Sequence, residues 1–366
     1  MDVHFLTPEQ LRKRLSMLPF SLPLVLLSES GADRLGITSF LEEQQNKKKM
    51  LWYQYTVPNP TQDTLYQVFS WLHGRMIDGI IAIGGGSTID LAKAVSAFHS
   101  MPETGSSELL LRAVVDKAFL SNGHHALPII AVPTTAGTGS EVTQWATIWD
   151  AGGSAKYSID ALWLKPSQAW IVPQLCASLP PKLKLATGLD AVCHAVEAYW
   201  AKASNPLSKA LSISALQIMI NNLQPGLANP SDETINEKLC TGALLAGLAF
   251  STTRTTACHS ISYPLTYMFG MEHGFAVAVS LAKVAEVNQE VCDISEVLEV
   301  FSQYSGIQAW LDSTCEGIVQ LRLRAFGINR QDIDKIAANS FSAGRMDNNP
   351  IDLSIETVKR ILYSVY

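Results

Sequence analysis

The stretch that most restricts the fold is residues 79–93. There the apolar run Ile80-Ile81-Ala82-Ile83 passes without a polar break into Gly84-Gly85-Gly86-Ser87-Thr88, and Ile89-Asp90-Leu91-Ala92-Lys93 opens a helix. A buried strand that feeds a helix through a glycine turn is the repeating unit of a parallel α/β layer. The neighbouring sequence continues the alternation. Apolar runs at 22–27, 52–57 and 129–133 are separated by helical spacing at 33–45 and 61–74, with a loop-rich stretch at 121–125. These features predict an α/β domain over residues 1–180.

After Pro180 and Pro181 the texture changes to long helical segments such as 207–223 and 235–249, with little that resembles a strand. Residues 181–366 are therefore predicted to form an all-α C-terminal domain, with 337–349 a polar loop and 354–365 a closing helix. At 366 residues, 47% hydrophobic and 16% charged, the chain is long and apolar enough for two buried cores.

Charge and cysteine usage exclude several classes. The net charge of -6, from 27 basic and 33 acidic residues without a basic run, argues against a sequence-independent grip on nucleic acid. A small anionic substrate would need a local cationic pocket. No 18-residue uncharged apolar stretch occurs, and the N-terminus lacks the order of a signal peptide, so neither a membrane nor export is expected. Cys176, Cys193, Cys240, Cys258, Cys292 and Cys315 include no CxxC pair, which predicts reduced thiols in the cytoplasm, without a disulfide framework or a cysteine zinc site.

The glycine turn carries chemistry as well as topology. Free backbone N–H groups and the helix dipole converge there on one spot, and glycine lets the backbone approach a pyrophosphate closely. Its spacing is not the usual G-x-G-x-x-G. A second loop, PTTAGTGSEVT at 133–143, also follows an apolar strand and adds hydroxyls and glycines. Two such loops predict an α/β N-terminal dinucleotide-binding domain; a purely structural use of the glycines is the competing reading.

A second constellation lies in the helical half. Asp190 and His194 are four residues apart, hence on one helix face, and His259 and His273 supply two more imidazoles. Pro264 and Gly270 are expected to break the intervening segment so that the two can converge. One carboxylate and three imidazoles suit Fe²⁺ or Zn²⁺, whereas Ca²⁺ and Mg²⁺ prefer oxygen. The alternative is a capped helix with buried, hydrogen-bonded histidines.

These motifs, with PNPT at 58–61, GGGSTIDLAK at 84–93, PTTAGTGSEVT at 133–143 and GLDAVCHAVEAY at 188–199, resemble those of the iron-containing (group III) alcohol dehydrogenases, which share the two-domain fold of dehydroquinate synthase. The resemblance spans most of the chain. It implies a metal-dependent, NADH- or NADPH-linked reduction of an aldehyde, with Asp190, His194, His259 and His273 as ligands of Fe²⁺ or Zn²⁺, and a homodimer. It places the cofactor's phosphates on the loops that include Gly85, Gly86, Ser87, Thr88, Asp90, Thr134 and Thr135. Asn59, Ser140, Val142, Lys156 and Leu175 match other cofactor contacts, though Lys156 also reads as a solvated surface lysine. Glu29 resembles the acidic position that favours an unphosphorylated ribose. Tyr263 departs from the pattern: many members carry there a histidine thought to relay protons, and a phenol of ordinary pKa near 10 is a poorer shuttle at neutral pH.

Arg254 lies five residues before His259 among five hydroxyls in STTRTT. In a helix that is about one and a half turns, within reach of a substrate on the metal. A planar guanidinium with hydroxyl neighbours suits a tetrahedral oxyanion such as phosphonate; pairing with a carboxylate is the competing role. The segment also resembles the branch of the family that reduces phosphonoacetaldehyde to 2-hydroxyethylphosphonate. Reduction of lactaldehyde or maleylacetate, a lyase of the dehydroquinate-synthase type, and a non-catalytic metal- or nucleotide-binding protein are the other readings.

Overall fold

The computed structural model describes residues 1–121, 126–152 and 155–366, so most of the loop expected at 121–125 lies outside the described residues. The chain divides into two compact units, Met1–Thr135 with Ser140–Leu175, and Ala136–Gly139 with Cys176–Tyr366.

The first unit contains strands β1 (Asp2–Phe5), β2 (Pro23–Leu26), β3 (Leu51–Tyr53), β4 (Gly79–Gly84), β5 (Ile129–Pro133), β6 (Trp145–Trp149), β7 (Lys156–Asp160) and β8 (Gln168–Ile171). Six of them form a sheet in the order β1-β8-β5-β4-β2-β3, every pairing parallel, while β6 and β7 make an antiparallel hairpin. Successive strand side chains point to opposite faces. Leu24, Leu26, Ile80, Ala82 and Ala131 enter one core, and Val25, Ile81, Ile83, Ile130 and Val132 enter another. A strand covered on both faces must be apolar at every position, which is why these runs carry no polar alternation.

Some boundaries differ from expectation. The helix expected over 33–45 is two, Glu29–Leu35 and Thr38–Asn46, because Gly36 at φ 61 takes the left-handed capping position between them. The strand expected over 52–57 is only the three-residue β3. The helix expected at 61–74 runs Gln62–Leu72, with the Thr61 hydroxyl accepting from the Thr64 N–H. Strands β1 and β8 and the hairpin were not anticipated; each is four or five residues long, too short for periodicity to register.

Among the described residues the second unit is built from helices and turns. Its long helices are Pro181–Trp200, Pro206–Ala228, Glu233–Thr253, Ala257–Phe269 and His273–Asn288, closed by Ile355–Ser364. They share one core that includes Leu189, Val196, Leu216, Ile261, Phe275 and Trp310. The break expected at Pro264 does not occur. Helix Ala257–Phe269 runs through it, since burying Ile261 and Leu265 outweighs one missing ladder bond. Gly270, at φ 66, does end the helix, its N–H reaching the carbonyls of Leu265 and Thr266. No described helix is long and apolar enough to cross a membrane.

Where helix His273–Asn288 crosses Pro181–Trp200, their backbones touch. A Cβ at Gly274 would stand 1.8 Å from the Ala186 carbonyl oxygen. Relief would require moving a helix, so Gly274→Ala is expected to destabilise the protein by about 3 kcal/mol, the upper end of overpacking costs. Denaturant unfolding checks this; an unshifted midpoint would contradict the close crossing.

Candidate metal centre and nucleotide loops

Helix Pro181–Trp200 carries Asp190, His194 and Glu197 at i, i+4 and i+7, on one face. His259 is the third residue of helix Ala257–Phe269 and His273 the first of His273–Asn288. These helices bring all four sequence-predicted residues together. Asp190 Oδ1 lies 3.7 Å from His194 Nε2, 3.5 Å from His259 Nε2 and 3.8 Å from His273 Nε2, and the Nε2 atoms of His194 and His259 are 3.0 Å apart. Ligand atoms of Asp190, His259 and His273 lie within 4.8 Å of one another. Asp190 Oδ1 is buried without a hydrogen bond.

That arrangement fits a divalent ion. Ligands at about 2.0–2.2 Å in a tetrahedron stand about 3.3–3.6 Å from one another, close to the separations seen here. The side chains of Asp190, His194 and His259 are 4–6% exposed and that of His273 is 37%, so the centre opens on the His273 side. There the Tyr263 ring lies nearly parallel to His273, with centroids 6.5 Å apart. On the closed side Phe250 stacks on His194 at 4.0 Å.

Sequence reasoning passed over Glu197, although it sits inside a quoted motif at helical spacing from His194. Its carboxylate is fully buried. Oε1 accepts from the Thr256 hydroxyl at 2.7 Å and from the backbone N–H groups of Thr256, Cys258 and His259 at 3.0, 2.9 and 3.3 Å. Oε2 is hydrogen-bonded to His259 Nδ1. One carboxylate thus caps the helix that carries His259 and holds its ring.

In the metal-free protein the two facing imidazoles are driven apart in pKa. Burial opposes the charge on His259, but the Glu197 and Asp190 carboxylates outweigh it and raise the group to about 9. Burial dominates at His194 and pushes it down to about 4. Asp190 stays well below the usual carboxylate range, because the imidazoles, His194 foremost, outweigh its own burial. The unfolded value of histidine is about 6.5. Stabilisation through His259 is therefore present below about 6.5 and lost as pH rises through about 9, whereas that of neutral His194 is lost as pH falls from about 6.5 toward 4. Chelator-treated protein is expected to be most stable near pH 6.5 in denaturation measurements, and a flat profile from pH about 4 to 9 would contradict this charge distribution.

In the first unit, β4 and β5 pair with Gly84 opposite Pro133, which sets the two glycine loops side by side. The Thr134 N–H donates to the Gly84 carbonyl at 3.0 Å, and a Cβ on Gly85 would stand 3.5 Å from the Thr135 methyl. Helix Gly86–Phe98 begins after Gly85 without a side-chain cap, leaving its N-terminus suited to an anion at Gly86 and Ser87, while the Thr88 N–H donates to the Gly85 carbonyl at 3.0 Å. Asn59, at φ 57, joins this group by donating its N–H to Ser87 Oγ at 3.1 Å. Glu29 is exposed at the start of its helix, just after β2, the strand next to β4.

The other expected contacts lie in a buried network and on the core of the same unit. Ser140 Oγ donates to Asp90 Oδ1 at 2.6 Å and accepts from Lys93 Nζ at 3.0 Å, and the Thr147 N–H donates to Asp90 Oδ2 at 2.9 Å. Lys93, not singled out in the sequence, is fully buried and also reaches Thr143 Oγ1 and the Trp145 carbonyl. Val142 is buried, Leu175 packs on the sheet's core, and Lys156 Nζ sits 5.8 Å over the Trp149 ring.

Arg254 is not helical, contrary to the helical geometry considered for it. Helix Glu233–Thr253 ends just before it, and Arg254 adopts φ 65, ψ 179, a region nearly confined to glycine that costs about 1–3 kcal/mol. Asn348 Nδ2 clamps the carbonyls on either side, Thr253 at 2.8 Å and Thr255 at 3.1 Å. Arg254 Nη1 extends to Gly344, 3.2 Å from where a Cβ there would stand.

Comparison with known proteins agrees with this geometry. Residues 7–173 match the signature of iron-containing alcohol dehydrogenase and residues 184–366 that of the family's C-terminal region. Lactaldehyde reductase of Escherichia coli K12 is 26% identical over 357 residues, 93% of this chain and 91% of that protein. Phosphonoacetaldehyde reductase of Streptomyces viridochromogenes is 34% identical over 232 residues, 63% of this chain and 58% of that protein. The crystal structure of an iron-containing alcohol dehydrogenase from Thermotoga maritima superposes with a TM-score of 0.84 at 27% identity, covering 100% of this chain and 97% of that one. The chain belongs to the iron-containing alcohol dehydrogenase family, whose members are NAD(P)-dependent oxidoreductases that use Fe²⁺.

Proposed function

We propose that this enzyme reduces phosphonoacetaldehyde to 2-hydroxyethylphosphonate, with Arg254 recognising the phosphonate. The observation that carries the reading is Arg254's backbone. A non-glycine residue persists at φ 65, ψ 179 only where its surroundings hold it, and such outliers gather at functional sites. Asn348 does the holding, and Thr256, two residues on, reaches His259 through Glu197. Similarity to a phosphonoacetaldehyde reductase supports the same substrate.

In this scheme Asp190, His194, His259 and His273 hold the divalent ion. The N–H groups of Gly85, Gly86 and Ser87 take the pyrophosphate, with Thr88, Thr134 and Thr135 lining the same place. Glu29 would repel a 2′-phosphate, which favours NADH over NADPH. When bound, the ion supplies Lewis acidity to a carbonyl oxygen and the dihydronicotinamide supplies hydride. Tyr263 walls the open side beside His273, and the alkoxide is protonated by water or a hydroxyl. The enzyme is a cytoplasmic homodimer in this reading, and its six cysteines are thiols, as suits a reducing compartment.

A second reading rests on the relative that matches over 93% of the chain, a lactaldehyde reductase. There the aldehyde is small and uncharged and Arg254 is structural. Kinetics separate the two. Arg254→Ala keeps a Cβ in the same backbone and removes the charge, so it is expected to raise the KM for phosphonoacetaldehyde roughly 10- to 100-fold, the worth of a charged hydrogen bond, while leaving that for propanal within about twofold. Equal effects on both aldehydes would favour the lactaldehyde-type reading. His259→Ala is expected to abolish both metal binding and dihydronicotinamide oxidation, and full turnover by a metal-free variant would sink the scheme.

A further inference from the structure

We propose that Glu197 is a positioning residue that fixes the tautomer of His259, keeping the proton on Nδ1 so that the Nε2 lone pair faces Asp190, His194 and the ion between them. The inference rests on His259 being a ligand and adds a residue outside the ligand set.

Three observations carry it. First, the two ring nitrogens of His259 have different partners: Nδ1 meets Glu197 Oε2, while Nε2 stands 3.5 Å from Asp190 Oδ1 and 3.0 Å from His194 Nε2. A carboxylate can only accept, so it holds a proton on Nδ1 and leaves Nε2 as the donor atom for a cation. Second, the carboxylate is itself immobilised. Its other oxygen accepts from Thr256, Cys258 and His259 at the start of helix Ala257–Phe269, and the Thr256 hydroxyl also accepts from Trp200 Nε1 at 2.8 Å. Third, Glu197 is on the same helix face as Asp190 and His194, so one rigid element sets both the ligands and the orienting group.

Capping and positioning can be separated chemically. In Glu197→Gln the amide oxygen still accepts from the Thr256, Cys258 and His259 N–H groups, so the helix cap survives. The amide nitrogen, however, can only donate, and it demands a lone pair on Nδ1. The proton is then displaced to Nε2, where it blocks the ion. A purely structural Glu197 would lose little in this variant, whereas a positioning Glu197 loses the site.

The test is anaerobic Fe²⁺ and Zn²⁺ titration of wild type, Glu197→Gln and His259→Ala, with circular dichroism to establish folding. Metal affinity of Glu197→Gln is expected to fall 10- to 100-fold with unchanged helical content, the usual effect of removing an orienting partner. Affinity within about twofold of wild type, with His259→Ala losing the metal, would overturn the positioning role while leaving the ligand set intact. Failure of the wild type itself to bind metal would instead overturn the ligand reading on which the inference rests. If Glu197→Gln does not fold, nitrogen NMR of the Zn²⁺-loaded wild type decides: a proton on His259 Nδ1 with Nε2 shifted by the metal supports the inference, and metal on Nδ1 overturns it.

Discussion

Two carboxylates buried on one helix set the terms for the helical unit. Asp190 and Glu197 have almost no exposure, and taking an ion out of water costs several kcal/mol unless partners compensate. Glu197 is compensated inside the chain by Thr256, Cys258 and His259. Asp190 Oδ1 is not: it has no hydrogen bond and faces three imidazole nitrogens at 3.5–3.8 Å, too far for bonds and suited to a shared cation. The unit is folded around a charge that its own side chains leave half satisfied.

The strain at Arg254 follows from the same demand. For the N–H groups of Thr256 and Cys258 to reach a carboxylate on Pro181–Trp200, the chain must leave helix Glu233–Thr253 and start the next at Ala257 within three residues. Arg254 takes the turn in a conformation that resists any side chain, and Asn348 pins both neighbouring carbonyls. Asn348 is in turn fixed by the Lys202 N–H donating to its carbonyl at 2.9 Å. The Arg254 turn and helix Ala257–Phe269 therefore share one support, which runs through Thr256 and Glu197.

Much of this was legible in the sequence, for identifiable reasons. The sheet was readable because strands buried on both faces leave unbroken apolar runs, as at Ile80–Ile83, and the helix of the candidate metal centre because Asp190 and His194 share its period. Strands β1 and β8 were not, since four residues carry no period and their pairing is set by the sheet. Pro264 misled because a local rule about proline lost to the burial of Ile261 and Leu265. Arg254 misled because polar residues flanking a helix end look like a continuing helix until the partner across the fold, Asn348, is known. Glu197 had a usable signal, three residues after His194 on the ligand face, but its role needed His259, 62 positions away, to be placed beside it.

A buried polar network underlies the two glycine loops. Asp90 and Ser140 fall in the two glycine loops' motifs, yet both oxygens of Asp90 and the hydroxyl of Ser140 are spent on each other, on Thr147 and on Lys93. Burial lowers the Lys93 ammonium to about 8 against the pull of Asp90 and Glu141, so the charge is held at some cost and the network tolerates few alternatives. Such a network is a poor way to add stability, since an apolar substitute of similar volume often does as well. It is an effective way to specify geometry: it ties helix Gly86–Phe98 to the loop after β5 and fixes the distance between two sets of backbone N–H groups. Asp90, Lys93 and Ser140 thereby hold the two loops at one spacing.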